Sequence, residues 1–576
     1  MRSADCSNSA QAGDTACRTA APRATAPARA VDYLVSELAA LGTTHVFGVG
    51  GANIEDLYDA LHHSPAVTGI LAKHEFSAGT MADGYARTSG RLGVVATTSG
   101  GAALNVVPAL GEAYTSRVPV LALVGQPPSQ LNGRGSFQDS SGQSGTLNAE
   151  DIFGSVSRYC ARVSSPDELP ARFGDAVSAS LSSPGGPAVL LLPKDMQQDV
   201  SSRTHYMPPR ARGADAPPEY DLSRAVSVLE EARNASGVIV VAGDGVARAD
   251  VRGSLRQLAD ALGARVAVTP DAKDVFDNSD PRFVGVTGGM GHPTVAEHLG
   301  EASACLLVGT RLPVIARDGL DDLLAKIPVV CVAEEPPYIE ALVVAGLLTE
   351  TLPALTTRLS AGFTRSITRA TGIRNLVVPP RSGNGLGYRE TMTVIGDALP
   401  SDAAVFVDAG NCGAAAIHHL SAPRHGRFVL TLGMGGMGYT FGAAIGAHFA
   451  NTDKSARTYV VAGDGAFYMH GSELHTAVEY RLPITFIVLN NNAHAMCVTR
   501  EQVFYGSEYS YNRFGPANLA AGVDAMFPAL EARSTASAQE LAQALTDTRT
   551  SPGPVFISVD CDVDEIPPVT SFLARR

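Results

Sequence analysis

Arg457-Thr-Tyr-Val-Val-Ala-Gly-Asp-Gly465 predicts a buried strand that runs into an aspartate held between two glycines. The stretch from Phe467 to Tyr480 then predicts a helix, and Pro483-Ile-Thr-Phe-Ile-Val-Leu489 predicts the next strand, which ends at a pair of asparagines. A strand, a helix and a strand in this order indicate two parallel strands of a doubly wound sheet. Ligands bind to such sheets in the crevice beyond the carboxyl ends of the strands.

Asp464 and Asn491 follow the ends of these two strands and are twenty-seven residues apart. Because parallel strands end at the same edge of a sheet, we expect a carboxylate and a carboxamide side by side there. Both offer hard oxygen ligands for Mg²⁺, which is usually held by one or two protein oxygens together with phosphates. The glycines let the backbone approach a diphosphate, and the helix presents its N-terminus to the anion. The spacing therefore predicts a site for a metal ion and a diphosphate.

The chain also contains a second copy of the first half of this motif. Val240-Val-Ala-Gly-Asp-Gly245 repeats Val460-Val-Ala-Gly-Asp-Gly465 letter for letter. The position twenty-seven residues after Asp244 is Asp271, and no asparagine pair lies near it. This copy predicts a simple strand-turn-helix corner.

Composition narrows the class of protein. A chain of 576 residues with 45% hydrophobic residues is expected to fold as about three or four globular domains. The formal net charge of -13 argues against nucleic acid or an anionic membrane surface as a partner. No run of eighteen apolar residues is present, so no membrane-spanning helix is expected. The eight cysteines are scattered without metal-binding spacing, which is typical of reduced thiols in the cytoplasm.

Proline-rich breaks divide the sequence. The composition of residues 1–29 predicts a disordered tail, with a transit peptide as the alternative. Breaks near 201–219 and 377–387 separate the rest of the chain into three blocks. Each block alternates short Val/Ile/Leu runs with Ala-rich amphipathic stretches. The predicted fold class is α/β, with three doubly wound parallel-sheet domains. Their predicted bounds are 30–200, 220–370 and 388–566.

Two groups of motifs resemble a known family. The first block contains Lys73-His-Glu-Phe-Ser-Ala-Gly-Thr-Met-Ala-Asp-Gly-Tyr-Ala-Arg87 and Ala96-Thr-Thr-Ser-Gly-Gly-Ala-Ala-Leu-Asn105. The third contains Gly433-Met-Gly-Gly-Met-Gly438 before the Asp464 and Asn491 motif. Together they resemble thiamine-diphosphate-dependent enzymes of the acetolactate synthase-like family, which includes benzoylformate decarboxylase. The resemblance implies a pyrimidine-binding domain, a central domain and a diphosphate-binding domain, in that order.

The resemblance implies that Glu75 is the carboxylate that activates the cofactor. It would bond to a pyrimidine ring nitrogen, so that the ring helps to remove a proton from the thiazolium carbon. General acid–base help of this kind is worth roughly 10²–10⁴ in rate. Taken alone, Glu75 would be a solvated carboxylate at a helix start. The metal motif downstream favours the catalytic role.

The resemblance also implies the residues that hold the cofactor. Met437 would be the apolar wedge that bends it, although a lone Met is by default a core residue. Mg²⁺ would be bound by Asp464, Asn491 and the backbone carbonyl of Ala493, with Asn490 as the alternative asparagine. The implied cofactor-binding set is Gly435 (through its carbonyl), Met437, Gly463, Asp464, Gly465, Ala466, Asn491 and Met496.

The substrate pocket departs from the family. Ser99-Gly100-Gly101 lacks the histidine pair of pyruvate decarboxylases, and Cys497 stands where those enzymes have an acid. Fewer proton donors favour carboligation over simple decarboxylation. Gln138 resembles a pocket-lining residue of acetolactate synthases. Arg500 replaces a tryptophan, and it could either bind a carboxylate or phosphate or point into solvent.

His494 is a further candidate beside the metal motif. It could shuttle protons near neutral pH or make a structural hydrogen bond. FAD in the central domain is left open, because Gly285-Val-Thr-Gly-Gly-Met-Gly291 and Gly309-Thr-Arg311 match the flavin site of some relatives only in part.

The predicted activity is decarboxylation of a pyruvate-like 2-oxo acid with carboligation to a second carbonyl compound. A non-ligating decarboxylase of the benzoylformate type and a catalytically silent scaffold subunit are the alternatives. The predicted partners are these small molecules and further copies of the chain. The expected assembly is a homodimer or homotetramer with active sites between subunits, without nucleic acid or membrane.

Overall fold

The computed structural model describes residues 29–200, 219–360 and 372–573. Within these ranges it contains three six-stranded sheets in which the paired strands are all parallel. The predicted fold class, α/β with three doubly wound sheets, is confirmed. Most of the predicted tail and of the first proline-rich break lie outside the described residues. The exact domain bounds stay a prediction.

The first sheet contains six strands, β1 to β6: His45–Val49, Thr68–Leu71, Gly93–Thr97, Val120–Gln126, Tyr159–Arg162 and Ala188–Pro193. Their spatial order is β2-β1-β3-β4-β6-β5. The helices of this domain are α1 to α7: Ala30–Ala40, Glu55–His63, Glu75–Ser89, Gly101–Thr115, Ala149–Gly154, Leu169–Leu181 and Lys194–Gln198.

The central sheet contains β7 to β12: Val238–Ala242, Arg265–Val268, Phe283–Val286, Ala304–Val308, Val329–Ala333 and Leu342–Ala345. Its order is β12-β11-β10-β7-β8-β9, which differs from that of the first sheet. Its helices are α8 to α14: Glu219–Asn234, Gly245–Arg248, Arg252–Leu262, Pro293–Glu301, Val314–Arg317, Asp321–Leu324 and Leu348–Leu359.

The third sheet contains β13 to β18: Ala404–Val407, Arg427–Leu430, Thr458–Gly463, Ile484–Asn490, Glu531–Thr535 and Val555–Asp560. Its order, β14-β13-β15-β16-β18-β17, repeats that of the first sheet. Its helices are α15 to α23: Tyr388–Ala398, Asn411–His419, Tyr439–Ala450, Asp464–His470, Leu474–Glu479, Ala495–Tyr505, Leu519–Met526, Ala538–Thr548 and Thr570–Leu573.

Burial on both faces explains why the central strands are continuous apolar runs. All seven residues of β4 and all seven of β16 are buried. Helices cover both sides of such parallel sheets, so neither face needs polar side chains. None of the helices in the described ranges is long and apolar enough to cross a membrane.

The first and third domains meet where α3 crosses α17. A methyl group added at Gly446 would come within 1.8 Å of the Met81 carbonyl oxygen, and one added at Gly84 within 2.1 Å of the Ala443 carbonyl oxygen. The two helices therefore pack backbone against backbone. A methyl group added at Gly436, just before α17, would lie 3.5 Å from the Phe76 ring. The N-terminal ends of both helices thus lie on the same side of the crossing.

The predicted helix over 467–480 is interrupted in the structure. Gly463 is extended and caps α18, so the helix begins at Asp464 itself. It ends at His470, and a 3₁₀ turn at Gly471–Glu473 leads into α19. This turn buries Glu473 fully.

Candidate active site

Asp464 lies at the carboxyl end of β15, as the first residue of α18. Only 1% of the residue is exposed. One carboxylate oxygen accepts from the Gly465 N–H at 2.9 Å, and the other accepts from the Ala493 N–H at 3.2 Å. Burial raises the pKa of Asp464 to about 6. A cation bound beside it would counter this rise, because opposite charge favours the ionised carboxylate.

Asn491 follows the neighbouring strand, β16, directly. Its side-chain oxygen is buried and has no hydrogen-bond partner among the described residues. The Asn490 amide group donates to the Ala517 carbonyl at 3.2 Å, while its oxygen also has no partner in the described ranges. Buried polar atoms normally have partners. A carboxylate and an unpaired carboxamide oxygen beside it therefore fit a hard cation such as Mg²⁺.

Met437 is brought to the metal motif by a contact at Gly465. A methyl group added at Gly465 would lie 2.5 Å from His494 Nδ1 and 3.1 Å from Met437 Cε, so a larger residue there would displace these side chains. Gly435, two residues before Met437, has φ of 66° in the left-handed region that suits glycine. Residues from three separate segments thus converge beside Asp464.

Glu75 is the first residue of α3 and is 9% exposed. One of its carboxylate oxygens accepts from the Asn105 side-chain amide at 2.9 Å. The preceding residue, His74, caps the helix by accepting from the Phe76 N–H at 3.0 Å. No hydrogen bond or ion pair within the described residues joins Glu75 to Asp464.

Family models match the chain domain by domain. Models of the N-terminal, central and C-terminal domains of thiamine pyrophosphate enzymes match residues 28–145, 222–350 and 408–559. Both thiamine-pyrophosphate-binding domains are present, and each contains its part of the site described above. The chain belongs to the thiamine-diphosphate-dependent enzymes.

Relatives of this thiamine-diphosphate enzyme match over most of its length. It is 26% identical to the acetolactate synthase large subunit of Porphyra purpurea, over 92% of this chain and 91% of the relative. It is 27% identical to the acetolactate synthase large subunit of Corynebacterium glutamicum, over 86% of this chain and 79% of the relative. It is 26% identical to the acetolactate synthase isozyme 1 large subunit of Escherichia coli, over 93% of this chain and 94% of the relative. The enzyme is therefore acetolactate synthase-like, as its motifs predicted.

Gln138 lies in a chain of side-chain hydrogen bonds in the first domain. The Ser99 hydroxyl donates to the Gln138 oxygen at 3.1 Å and accepts from the Asn53 amide at 2.7 Å. A methyl group added at Gly100 would lie 2.8 Å from Gln138 Cγ. Sequence reasoning missed Asn53, whose only signal is its place just after β1.

Three further candidates lie on α20 or directly before it: Met496 and Arg500 are on the helix, and His494 is at its N-terminal cap. Arg500 is exposed, and no hydrogen bond or ion pair to it is seen in the described ranges. Met496 is half-buried. The His494 ring packs edge-on against Phe514 at 4.7 Å, and its Nδ1 is buried without a partner among the described residues. His494 therefore lies beside the metal motif, and its Nδ1 makes no structural hydrogen bond within the described ranges.

The crevice of the central sheet opens into a cavity of about 450 Å³. The copy of the Gly-Asp-Gly motif forms a strand-turn-helix corner there, between β7 and α9. The Gly245 N–H donates to the Gly309 carbonyl at 2.9 Å and so is not free for a phosphate. Burial and the neighbouring Asp244 carboxylate raise the pKa of Asp271. The cavity is lined by four carboxylates, Asp244, Asp271, Glu334 and Glu335, and by four arginines, Arg87, Arg117, Arg248 and Arg311.

Proposed function

We propose that this enzyme decarboxylates a pyruvate-like 2-oxo acid and joins the acyl unit to a second carbonyl compound, with thiamine diphosphate and Mg²⁺ as cofactors. The observation that carries this proposal is the convergence of Asp464, the unpaired Asn491 oxygen and Met437 beside Gly465. The relatives named acetolactate synthase large subunit support the same reaction class.

Each part of the site has a role in this proposal. Asp464, Asn491 and the Ala493 carbonyl would bind Mg²⁺ and through it the diphosphate, while Gly463, Gly465 and Ala466 let the backbone come close. Thiamine diphosphate supplies the carbon centre that attacks the 2-oxo acid, because that chemistry belongs to the cofactor. Met437 would orient the cofactor. Glu75 would hold a proton at the pyrimidine ring.

The choice of carboligation depends on which proton donors the pocket lacks. Cys497 is half-buried where a decarboxylase has an acid, and the pocket hydrogen bonds of Ser99 run to Asn53 and Gln138 rather than to histidines. Poor proton delivery to the acyl unit would leave it free to react with a carbonyl acceptor. A non-ligating decarboxylase is the alternative, and product identity distinguishes the two.

We propose a two-fold dimer as the smallest active unit, with Glu75 of one chain completing the site of its partner. Large apolar side chains are exposed near both halves of the site: Leu104 at 40%, Met434 at 62%, Tyr468 at 51% and Met469 at 49%. Exposed apolar patches of this kind mark interaction surfaces. A second copy covering them would bring the two half-sites together.

We also propose a cytoplasmic enzyme without flavin. The six cysteines in the described ranges are free, which suits a reducing compartment. The Gly245 N–H of the central crevice is bonded to the Gly309 carbonyl and is not free for a phosphate, which supports the absence of FAD. A purified protein that shows the visible absorbance of oxidised flavin would contradict this part of the proposal.

Product analysis tests the proposed reaction. Purified enzyme is incubated with thiamine diphosphate, Mg²⁺ and pyruvate, and the products are identified by NMR. Acetolactate or acetoin is the expected product. Acetaldehyde as the sole product would make the enzyme a decarboxylase. If pyruvate is not consumed, a panel of 2-oxo acids identifies the donor.

A further inference from the structure

Glu473 is a buried carboxylate of the third domain that reaches into the first domain. Both of its side-chain oxygens accept from the Lys73 N–H, at 3.1 and 3.2 Å. The Thr476 hydroxyl donates to one of them at 2.7 Å. The residue is fully buried, and burial raises its pKa. Lys73 lies two residues before Glu75, so this contact fixes the backbone that leads into the candidate catalytic carboxylate.

Glu112 makes the same kind of contact in the opposite direction. It lies on α4 in the first domain and is 3% exposed. One carboxylate oxygen accepts from the Met434 N–H at 2.7 Å and the Gly435 N–H at 3.3 Å, both in the third domain. Its other oxygen accepts from the Ser116 hydroxyl at 2.7 Å. The contact fixes the start of the loop that carries Met437.

The far end of that loop is fixed within its own domain. The Asp408 carboxylate accepts from the N–H groups of Gly438 and Thr440 and from the Thr440 hydroxyl, at 2.8 to 3.2 Å. The loop is therefore held at both ends, and Glu112 is its anchor across the domain boundary.

We propose that Glu473 and Glu112 are positioning residues for the reaction. Each carboxylate holds the backbone of the other domain's catalytic segment: Glu473 holds Lys73–Glu75, and Glu112 holds the loop of Gly435 and Met437. This inference rests on the roles proposed above for Glu75 and Met437.

Physical chemistry favours positioning over simple stabilisation. Burying a carboxylate costs free energy unless it is well hydrogen-bonded, and a hydrophobic residue of similar shape would often stabilise as well. A charge-assisted bond to backbone N–H groups instead fixes the position of the segment that donates. Catalytic groups have to be held within about 0.5 Å of their working geometry.

The test compares Glu473→Gln and Glu112→Gln with wild type and with Glu75→Gln. We expect kcat to fall about ten- to a hundred-fold in both positioning variants, because misplacement by about 1 Å costs this much. The KM for the 2-oxo acid should change less than about three-fold in both variants. The Kd for thiamine diphosphate should change less than about three-fold in Glu473→Gln, since the Lys73–Glu75 segment supplies no metal ligand. A fall in kcat/KM through KM alone would overturn the proposal.

A second readout needs no cofactor and no turnover. Amide hydrogen exchange is measured by mass spectrometry on the cofactor-free enzyme. The peptide containing Lys73 should exchange about ten-fold faster in Glu473→Gln. The peptide containing Gly435 should do the same in Glu112→Gln, because glutamine offers one neutral oxygen in place of the two charged oxygens of the carboxylate and so weakens the bond. Unchanged exchange in these peptides would overturn the proposal.

Glu479→Gln is the matched control. Glu479 pairs with the side chain of the same Lys73 at 3.0 Å, but at the surface. Its variant should match wild type in kcat and in exchange. If Glu473→Gln resembles it, or loses thermal stability without losing kcat, the positioning role is wrong.

Two further variants separate the possible failures. If Glu75→Gln keeps full activity, the catalytic role proposed for Glu75 is wrong. If Glu75→Gln alone loses activity, the positioning role proposed for Glu473 and Glu112 is wrong. If Glu473→Gln does not fold, Thr476→Val replaces it, since this change removes a donor to Glu473 and keeps the carboxylate. It should lower kcat in the same direction by a smaller factor, and an unchanged kcat would overturn the proposal.

Discussion

Gly446 and Met81 lie so close that a methyl group on Gly446 would come within 1.8 Å of the Met81 carbonyl oxygen. This contact lets α3 and α17 cross backbone to backbone, and it sets where Glu75 and Met437 lie relative to each other. The crossing thus links the first domain's candidate carboxylate to the third domain's cofactor loop.

Gly446→Ala is expected to force the two helices apart. Overpacking of this kind costs about 1–3 kcal/mol and more when backbone has to move, so the midpoint of thermal unfolding should fall by several degrees. Gly253→Ala, on α10 with open space around it, is the control and should be neutral or slightly stabilising. Equal midpoints for the two variants would mean that the crossing is less tight than described.

Glu75 and Asp464 are expected to work across the dimer interface. Glu75→Gln alone should lower kcat by roughly 10²–10⁴, and Asp464→Asn alone should be inactive. A mixed dimer of the two, co-expressed and isolated through two affinity tags, keeps one site with both residues intact if the partner completes the site. It should then show roughly half of wild-type activity. No activity in the mixed dimer would place both residues of a site in one chain.

Arg500 is expected to influence the choice of acceptor. Its side chain is exposed on α20 in the single chain and is therefore available to a carboxylate or phosphate group. Arg500→Leu should change the ratio of products from competing carbonyl acceptors, with the Kd for thiamine diphosphate unchanged. Arg513, which is paired with Asp564, supplies the control variant Arg513→Leu. The same product ratios in all three proteins would remove Arg500 from the acceptor site.

Stability should fall as the pH falls below 6.5 because of buried histidines between the central and third domains. His292 stacks on His418 at 4.5 Å, and its two ring nitrogens bond to the Val286 N–H and the His418 carbonyl. Burial lowers the pKa of His292 to about 3 and that of His418 to about 4. The unfolded chain then binds more protons than the folded chain below pH 6.5, so unfolding is favoured progressively as the pH falls toward those values.

The variant His292→Asn keeps a neutral donor and acceptor but does not titrate. Between pH 6.5 and about pH 4.5, the free energy of unfolding of this variant should fall by about 2–3 kcal/mol less than that of wild type. Thermal unfolding across this range measures the effect, with the exposed His62→Asn as the control. Parallel pH curves for His292→Asn and wild type would contradict the assignment.

The strands could be predicted from sequence because local signals determine them. The strand predicted at 457–462 is observed as Thr458–Gly463, and the one predicted at 483–489 as Ile484–Asn490. Both are apolar runs bounded by glycine, proline or asparagine, and burial on both faces requires that pattern. The metal motif follows from the same logic, since it lies where two such strands end.

Contacts between distant segments could not be predicted. The break in the helix after His470 places Glu473 beneath the Lys73 N–H, and these residues are 400 positions apart in the chain. Asn53 reaches Ser99 across 46 positions. No local pattern marks either residue, because a carboxylate or amide at a helix end is usually solvated. Their positions depend on how the domains pack.

The most direct test of the account uses the two copies of the Val-Val-Ala-Gly-Asp-Gly hexapeptide. Binding of thiamine diphosphate in the presence of Mg²⁺ is titrated for wild type, Asp464→Asn and Asp244→Asn. We predict that Asp464→Asn raises the Kd by at least roughly 100-fold, as expected when a metal ligand is lost. Asp244→Asn should bind like wild type, because Asp244 pairs with Arg248 in a corner of the central domain. Full binding by Asp464→Asn, or loss of binding in Asp244→Asn, would contradict the placement of the site.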